Sequence, residues 1–422
     1  MAQGTTSTTG RTSRRRLLRL TGGALALGAL AVGATGCRND AQDTTGGGTG
    51  SGGTGKDKGK GTDSGTGGKG SGGTDAAGAP KPLWTKSVSA ETYGNNDELV
   101  AVAGVVIASG APLDALDGKT GRPRWTLKNG ATPGAPLLIG DDTLYLASSA
   151  YDGTVSGHDP ATGKETWRGR LGKEYRQPRP VAVDDKQVYV IAEILEADGS
   201  SHTNVIAALD SGTGRVVWKE QRDLGTEQTG VHTAVRDRFL VYTDLKKNLT
   251  VRDTATGRQV WTHKTTSTNY GVFALHGDLV IVPQGRVLQA FALADGAEKW
   301  SLKTDEFATF KEPTVLGDTL YIADSNRTLR SVDPRTGKEN WRSEDLSKKG
   351  AQPPRQFLEA GGTLYGATDL DEGGGIHAFD PKTGTLRWTF NDKSGDFHAW
   401  LMATDGTHVF ALHGTKLHAL PA

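Results

Sequence analysis

The sequence predicts an all-β fold: an eight-bladed β-propeller of four-stranded antiparallel blades, the last blade closed by the N-terminal strand that carries Trp84. Two observations carry this. A nine-residue frame, Asp-x-x-Thr-Gly-x-x-x-Trp, recurs along the chain, as in "DPRTGKENW" (Asp333 to Trp341) and "DPKTGTLRW" (Asp380 to Trp388). The tryptophans Trp84, Trp125, Trp167, Trp218, Trp261, Trp300, Trp341 and Trp388 are separated by 41, 42, 51, 43, 39, 41 and 47 residues. A period of about 40–45 residues with short strands and dense turn signals is the mark of a propeller.

The folded part begins late. "SRRRLLR" (Ser13 to Arg19) precedes the weakly apolar "LTGGALALGALAVGATG", which ends at Cys37. Basic residues, an apolar run of signal length and then small residues are the order of an export signal. Residues 1–36 are therefore expected to be removed. Arg14 and Arg15 resemble a twin-arginine export signal, and "ATGC" resembles a lipobox that lipidates Cys37. Cys37 is the single cysteine of the 422 residues, so the chain forms no internal disulfide. Lipidation would also leave it no thiol for catalysis.

Residues 37–80 are read as the lipidated cysteine and a disordered Gly/Ser/Thr-rich linker, which cannot bury enough apolar surface to offset its ordering entropy. Such a tether has a root-mean-square reach of roughly 35–40 Å. Together these segments place the protein at a cell membrane, lipid-anchored, on the extracytoplasmic face. Removing the five Arg of residues 1–36, where there is no acid, takes the formal charge from +1 to −4. No basic surplus remains to argue for nucleic acid.

Residues 81–422 are the expected propeller. The sixth unit shows its plan: "PTVLG", "DTLYIAD", "TLRSVD" and "KENWRS" (Lys338 to Ser343) are four short strands joined by turns. The Asp-x-x-Thr-Gly element is the hairpin between the third and fourth strands. There the Asp and Thr side chains accept from turn amides and the Gly takes a left-handed conformation. The tryptophan on the outer strand is expected to pack against the neighbouring blade with its N–H on a backbone acceptor. One copy departs: in "ALADGAEKW", Ala292 replaces the Asp and Asp295 the Thr. Trp84 lies on an outer-type strand with no three strands before it, while the C-terminus supplies three strands with none after them. The two fragments complete an eighth blade, and a monomeric ring is expected.

These repeats resemble the PQQ-type (quinoprotein) β-propeller repeat, and the chain resembles the BamB-like lipoproteins of the outer-membrane barrel-assembly machinery. The resemblance also reaches quinoprotein alcohol dehydrogenases and sensor domains of bacterial kinases. The dehydrogenases would imply a quinone beside adjacent cysteines and a bound calcium. This chain has no Cys pair and no C-x-x-C-H, so no quinone cofactor and no such catalysis are expected. Phosphate loops, G-x-S-x-G elbows and paired His ligands are likewise missing from the sequence, and no metal is expected. "DLDEGGG" (Asp369 to Gly375) is acidic enough to hold calcium weakly but matches no EF-hand order, which favours a solvated loop.

Binding remains. The connections between an outer strand and the next inner strand share a face with the loops between second and third strands, around the channel mouth. They include "KEYRQPRP", "TTSTNYG", "DEFATFKEP", "KKGAQPPRQF" and "DKSGDFHAW". Arg176, Arg179, Lys311 and Arg355 bring positive charge there, with Tyr175, Tyr270, Phe310 and Trp400 as aromatic neighbours. Arg and aromatic side chains are the usual interface anchors. Arg176, Arg179, Tyr270, Lys311, Arg355 and Trp400 are the candidate partner-binding residues. The expected partner is a protein or extended peptide; the alternative is a small anionic or glycan ligand.

Overall fold

A computed structural model describes residues 78–90, 98–128, 137–147, 152–194, 196–198, 203–222, 231–244, 246–266, 272–369 and 373–422. Of Arg176 and Gln177 only the backbone is described. The signal segment, Arg14, Arg15, Cys37, the linker to residue 77 and Tyr270 lie outside these residues.

The described chain forms eight four-stranded antiparallel sheets. Blades 1 to 7 span residues 99–127, 138–170, 175–222, 233–264, 274–303, 314–343 and 354–390. Within each, strands pair in chain order from the channel outward. Blade 6 has strands Thr314–Leu316, Thr319–Ala323, Leu329–Val332 and Glu339–Ser343. The eighth blade is composite. Trp400–Thr404, His408–His413 and Lys416–Pro421 come from the C-terminus, and Trp84–Ser87 pairs outermost, with Trp84 opposite Ala419. The two chain ends thus share one hydrogen-bonded sheet, and the ring closes without a covalent link.

Burial explains the strand patterns. Middle strands face a neighbouring blade on both sides and read as continuous apolar runs; Val188, Tyr189, Val190, Ile191 and Ala192 are wholly buried. Outer strands alternate, as in Glu298–Lys303, where Trp300 is buried between exposed neighbours. The apolar clusters lie between blades. One joins Ile281, Leu288, Ala290 and Trp300 of blade 5 to Leu320, Ile322 and Val332 of blade 6.

The tryptophans carry this junction. Six indoles donate to a carbonyl in the next blade: Trp84 to Gly118, Trp125 to Pro160, Trp218 to Thr254, Trp261 to Leu293, Trp300 to Pro334 and Trp341 to Pro381, at 2.7–3.0 Å. Each acceptor directly follows the first residue of the turn motif. The turn glycine lies under the same ring. A Cβ on Gly121, Gly163, Gly257, Gly337 or Gly384 would come within 3 Å of the docked indole, and all five have φ between 65° and 74°. Only glycine meets both demands. Trp167 differs: its Nε1 is buried without a partner, and its ring meets Tyr145 edge-on at 5.3 Å.

The turn itself is held by backbone and side chain together. In blade 1, Asp117 Oδ1 accepts from the amide and hydroxyl of Thr120, each at 2.8 Å. The Thr120 hydroxyl and the Arg124 guanidinium hold the Asp117 carboxyl down at about 2. The degenerate turn of blade 5 keeps the backbone bonds, Gly296 N to Ala292 O and Ala292 N to Ala297 O, both 2.9 Å. Asp295 accepts from Ala297 N at 2.9 Å, the place a Thr hydroxyl takes elsewhere. Because the Trp261 acceptor is a backbone carbonyl, losing the Asp leaves docking intact.

Candidate functional site

Antiparallel pairing sends the hairpins between strands one and two, and three and four, to one face. The connections between blades emerge on the other, the connection face. The chain enters the propeller on the turn face, since Trp84 opens its strand and docks on the Asp117–Gly121 turn.

The innermost strands line the channel, with those of blades 5 and 6, 6 and 7, and 7 and 8 side by side. At the connection face of blades 6 and 7, three candidate charges meet. Lys311 and Glu312 close the connection into blade 6, and Arg355 lies at an irregularity in the inner strand of blade 7. Lys311 is half-buried, and its ammonium makes no hydrogen bond or ion pair among the described residues. Glu312 is surrounded by protein yet keeps part of its surface open, as a channel-lining group does, and it too has no hydrogen bond or ion pair there. Burial pushes its carboxyl up to about 7, against the pull of Arg355; Asp369 raises it further and Lys311 lowers it. Arg355 is only 4% exposed, and among the described residues its Nε has no hydrogen-bond partner and its one ion pair, to Asp369, is long at 3.7 Å. Buried polar groups are normally satisfied, so this cluster stands out.

A buried network fixes the segment leading into the cluster. Arg330, wholly buried, donates to Asp324 (2.5 Å) and Glu339 (3.0 Å) and lies over the Phe310 ring at 5.4 Å. Asp324 also accepts from the Thr304 hydroxyl at 2.9 Å. Lys311 N donates to Ala323 O at 2.8 Å. The backbone before Glu312 is thus held against blade 6, and the free side chains sit on a fixed edge.

Two exposed aromatic residues stand on connections of the same face, Phe307 on the connection that carries Lys311 and Phe397 on the one into blade 8. Phe307 is 86% exposed and Phe397 is 64% exposed. Phe307 also holds φ at 65°, a left-handed conformation that is an outlier for a bulky residue.

The other candidates fall elsewhere. Arg179 is half-buried on the inner strand of blade 3, across the ring from blade 7; burial lowers its guanidinium pKa while Glu193 opposes the shift. Arg176 pairs with Glu193 through the backbone, and its side chain is outside the description. Trp400 is wholly buried and stacks on His413, centroids 4.2 Å apart, so it presents no surface. Phe310 is buried beneath Arg330, and Tyr175 is buried with Lys219 over its ring at 5.1 Å.

Sequence reasoning passed over Glu312, Phe307 and Phe397. Glu312 looked like a solvated acid beside a lysine; its setting comes from Arg355 in another blade. The two phenylalanines stood in quoted connections, where an exposed aromatic is the available signal. Among the described residues no group of three or more His, Cys, Asp or Glu is placed to hold a metal ion. Nor is any helix among them long and apolar enough to cross a membrane.

Comparison with known proteins fits this architecture. Residues 76–193, 113–227 and 201–354 match, in overlapping segments, the family described as outer membrane protein assembly factor BamB. The chain is 25% identical over 268 residues to that assembly factor of Burkholderia pseudomallei, covering 60% of this chain and 67% of that one. It is also 25% identical over 280 residues to the tetrathionate hydrolase of Acidithiobacillus ferrooxidans, of which it covers only 52%. The crystal structure of BamB from Moraxella catarrhalis superposes with a TM-score of 0.53 at 15% identity, over 82% of this chain and all of that one, a likeness of fold. With most of the propeller matched and eight PQQ-type blades on view, the chain belongs to the BamB family of outer membrane protein assembly factors.

Proposed function

We propose that this protein is a non-catalytic scaffold, tethered to a membrane by a lipid on Cys37 after export through Arg14 and Arg15, that binds a protein partner on its connection face. One observation carries the reading: Lys311, Glu312 and the buried Arg355, whose Nε has no hydrogen-bond partner among the described residues, meet on the face whose connections also expose Phe307 and Phe397. Exposed aromatic residues beside desolvated charge are what protein interfaces use as anchors. Relatives named as assembly factors support a role in bringing proteins together. The described chain enters on the turn face, at the other end of the channel from the connection face.

Photocrosslinking in intact cells from a probe placed at Phe397 tests this. A single defined protein should be recovered. Recovery of none, together with a thermal shift on adding an anionic metabolite or sugar, would instead support a small-ligand receptor. That second reading draws on the Lys311 ammonium and the Arg355 Nε, neither of which has a hydrogen-bond partner among the described residues.

A further inference from the structure

We infer that the connection face of blades 6 and 7 captures an extended peptide segment of the partner, one that carries a carboxylate side chain between two apolar residues. The inference rests on the scaffold reading and names the chemistry of its partner. The carboxylate is called for by Arg355 and Lys311. Arg355 holds Asp369 at 3.7 Å, beyond hydrogen-bond range, and its buried Nε has no partner. An incoming carboxylate in place of Asp369 would meet the guanidinium in fork geometry and the Lys311 ammonium beside it, the stronger kind of contact.

The apolar flanks are called for by Phe307 and Phe397. They lie on the connections either side of blades 6 and 7, exposed to 86% and 64%, and Phe307 is held out by a strained backbone at φ 65°. Strain of this kind persists where surroundings impose it, and it clusters at ligand clamps. An extended chain crossing the mouth would meet a ring, then the charges, then the second ring.

Glu312 sets the condition for capture. The charged groups facing it are Arg355 and Asp369 from blade 7 and Lys311 beside it. When neutral it donates a hydrogen bond to the incoming carboxylate; when ionised it repels it. Since burial pushes its carboxyl up to about 7, capture is tighter on the acid side of neutrality.

The test uses the full-length lipidated chain in detergent micelles and a labelled peptide with a Phe-Gly-Glu-Gly-Phe core, read by fluorescence anisotropy. Versions with Gln or Lys at the centre are the controls. The Glu peptide should bind about tenfold tighter than the Gln peptide, as expected of a charge-assisted fork. Lys311→Ala and Phe307→Ser should each weaken it about fivefold, in line with loss of an interface anchor. Glu312→Gln should tighten binding at about pH 8 and leave little difference from about pH 6, because the neutral form is then permanent. Equal binding of the Glu and Gln peptides, preference for the Lys peptide, no binding of any version, or indifference to Phe307→Ser overturns the inference. Phe307 is exposed and Lys311 half-buried, so circular dichroism of these two variants separates lost binding from lost fold. If the Lys311→Ala/Phe307→Ser chain still captures the same protein in cells, the peptide site falls and the scaffold reading stands. If the unaltered chain captures none, the scaffold reading falls as well.

Discussion

The indole N–H of Trp300 donates to the carbonyl of Pro334 in the next blade at 3.0 Å, and the ring lies over the neighbouring Gly337. A Cβ on Gly337, which has φ 71°, would come 2.5 Å from the ring. Gly317 has a similar φ, 59°, with nothing within 4 Å. Alanine at either position costs about 1 kcal/mol of backbone strain. At Gly337 it must also push out the tryptophan, at a further cost of about 2 kcal/mol. Chemical denaturation should therefore rank Gly337→Ala well below Gly317→Ala. Equal stabilities would show that the glycine serves the turn and not the docking.

Blade 5 offers a test of how the turn is held. Asp295 accepts from Ala297 N where other turns use threonine; in blade 6, Thr336 Oγ1 takes Lys338 N at 3.4 Å. Asp295→Thr should keep stability within about 0.5 kcal/mol, whereas Asp295→Ala should lose about 1 kcal/mol, the worth of one such hydrogen bond. The readout is the thermal midpoint. A loss on Asp295→Thr as large as on Asp295→Ala would mean that the carboxylate charge, not the acceptor, is what matters.

These turns show why the fold was legible and the site was not. Asp, Thr, Gly and Trp recur because each blade must solve the same local problem, and a local solution is written in adjacent residues. The blade count and the composite closure through Trp84 followed from that repetition. Glu312, by contrast, gets its character from Arg355 and Asp369 of another blade, and no spacing in the chain announces that contact. Trp400 misled for the same reason. It sits in a connection rich in contact-type residues, but its stacking on His413 is visible only once the strands of blade 8 are laid side by side. The unpartnered Nε1 of Trp167 makes the same point: its motif matches the others while its docking does not.

The Arg330 network should be costly to break and cheap to neutralise. Arg330 and Asp324 are both wholly buried, and Asp324 also accepts from the amides of Asn326 and Thr328. Arg330→Met strands a buried carboxylate and should cost about 3–5 kcal/mol. Adding Asp324→Asn removes that charge while keeping an acceptor for the two amides, and should restore at least about 2 kcal/mol. Equilibrium denaturation of the two single variants and the double variant closes the cycle. Additive losses would show that the two side chains are not coupled.

Ring closure should be sensitive to acid through Asp392. This carboxylate, on the connection into blade 8, lies 3.1 Å from His413 Nδ1 and 3.6 Å from His418 Nε2. His418 in turn meets the Thr85 hydroxyl at 3.0 Å on the closing strand. Burial disfavours the Asp392 charge, but the hydrogen bonds from His413 and the Ser394 amide, with the nearby His418 imidazole, outweigh it, and its pKa falls well below the ordinary value. A depressed carboxylate pKa stabilises the fold above the unfolded-state value of about 4, and that contribution is lost as pH falls towards the folded-state value. Asp392→Asn should therefore destabilise the protein at neutral pH, with the gap to the unaltered chain closing steadily below about pH 4. Urea midpoints across that range provide the measurement. A gap that stays constant with pH would mean that Asp392 contributes by packing, and that the histidine pair leaves the eighth blade equally closed in acid.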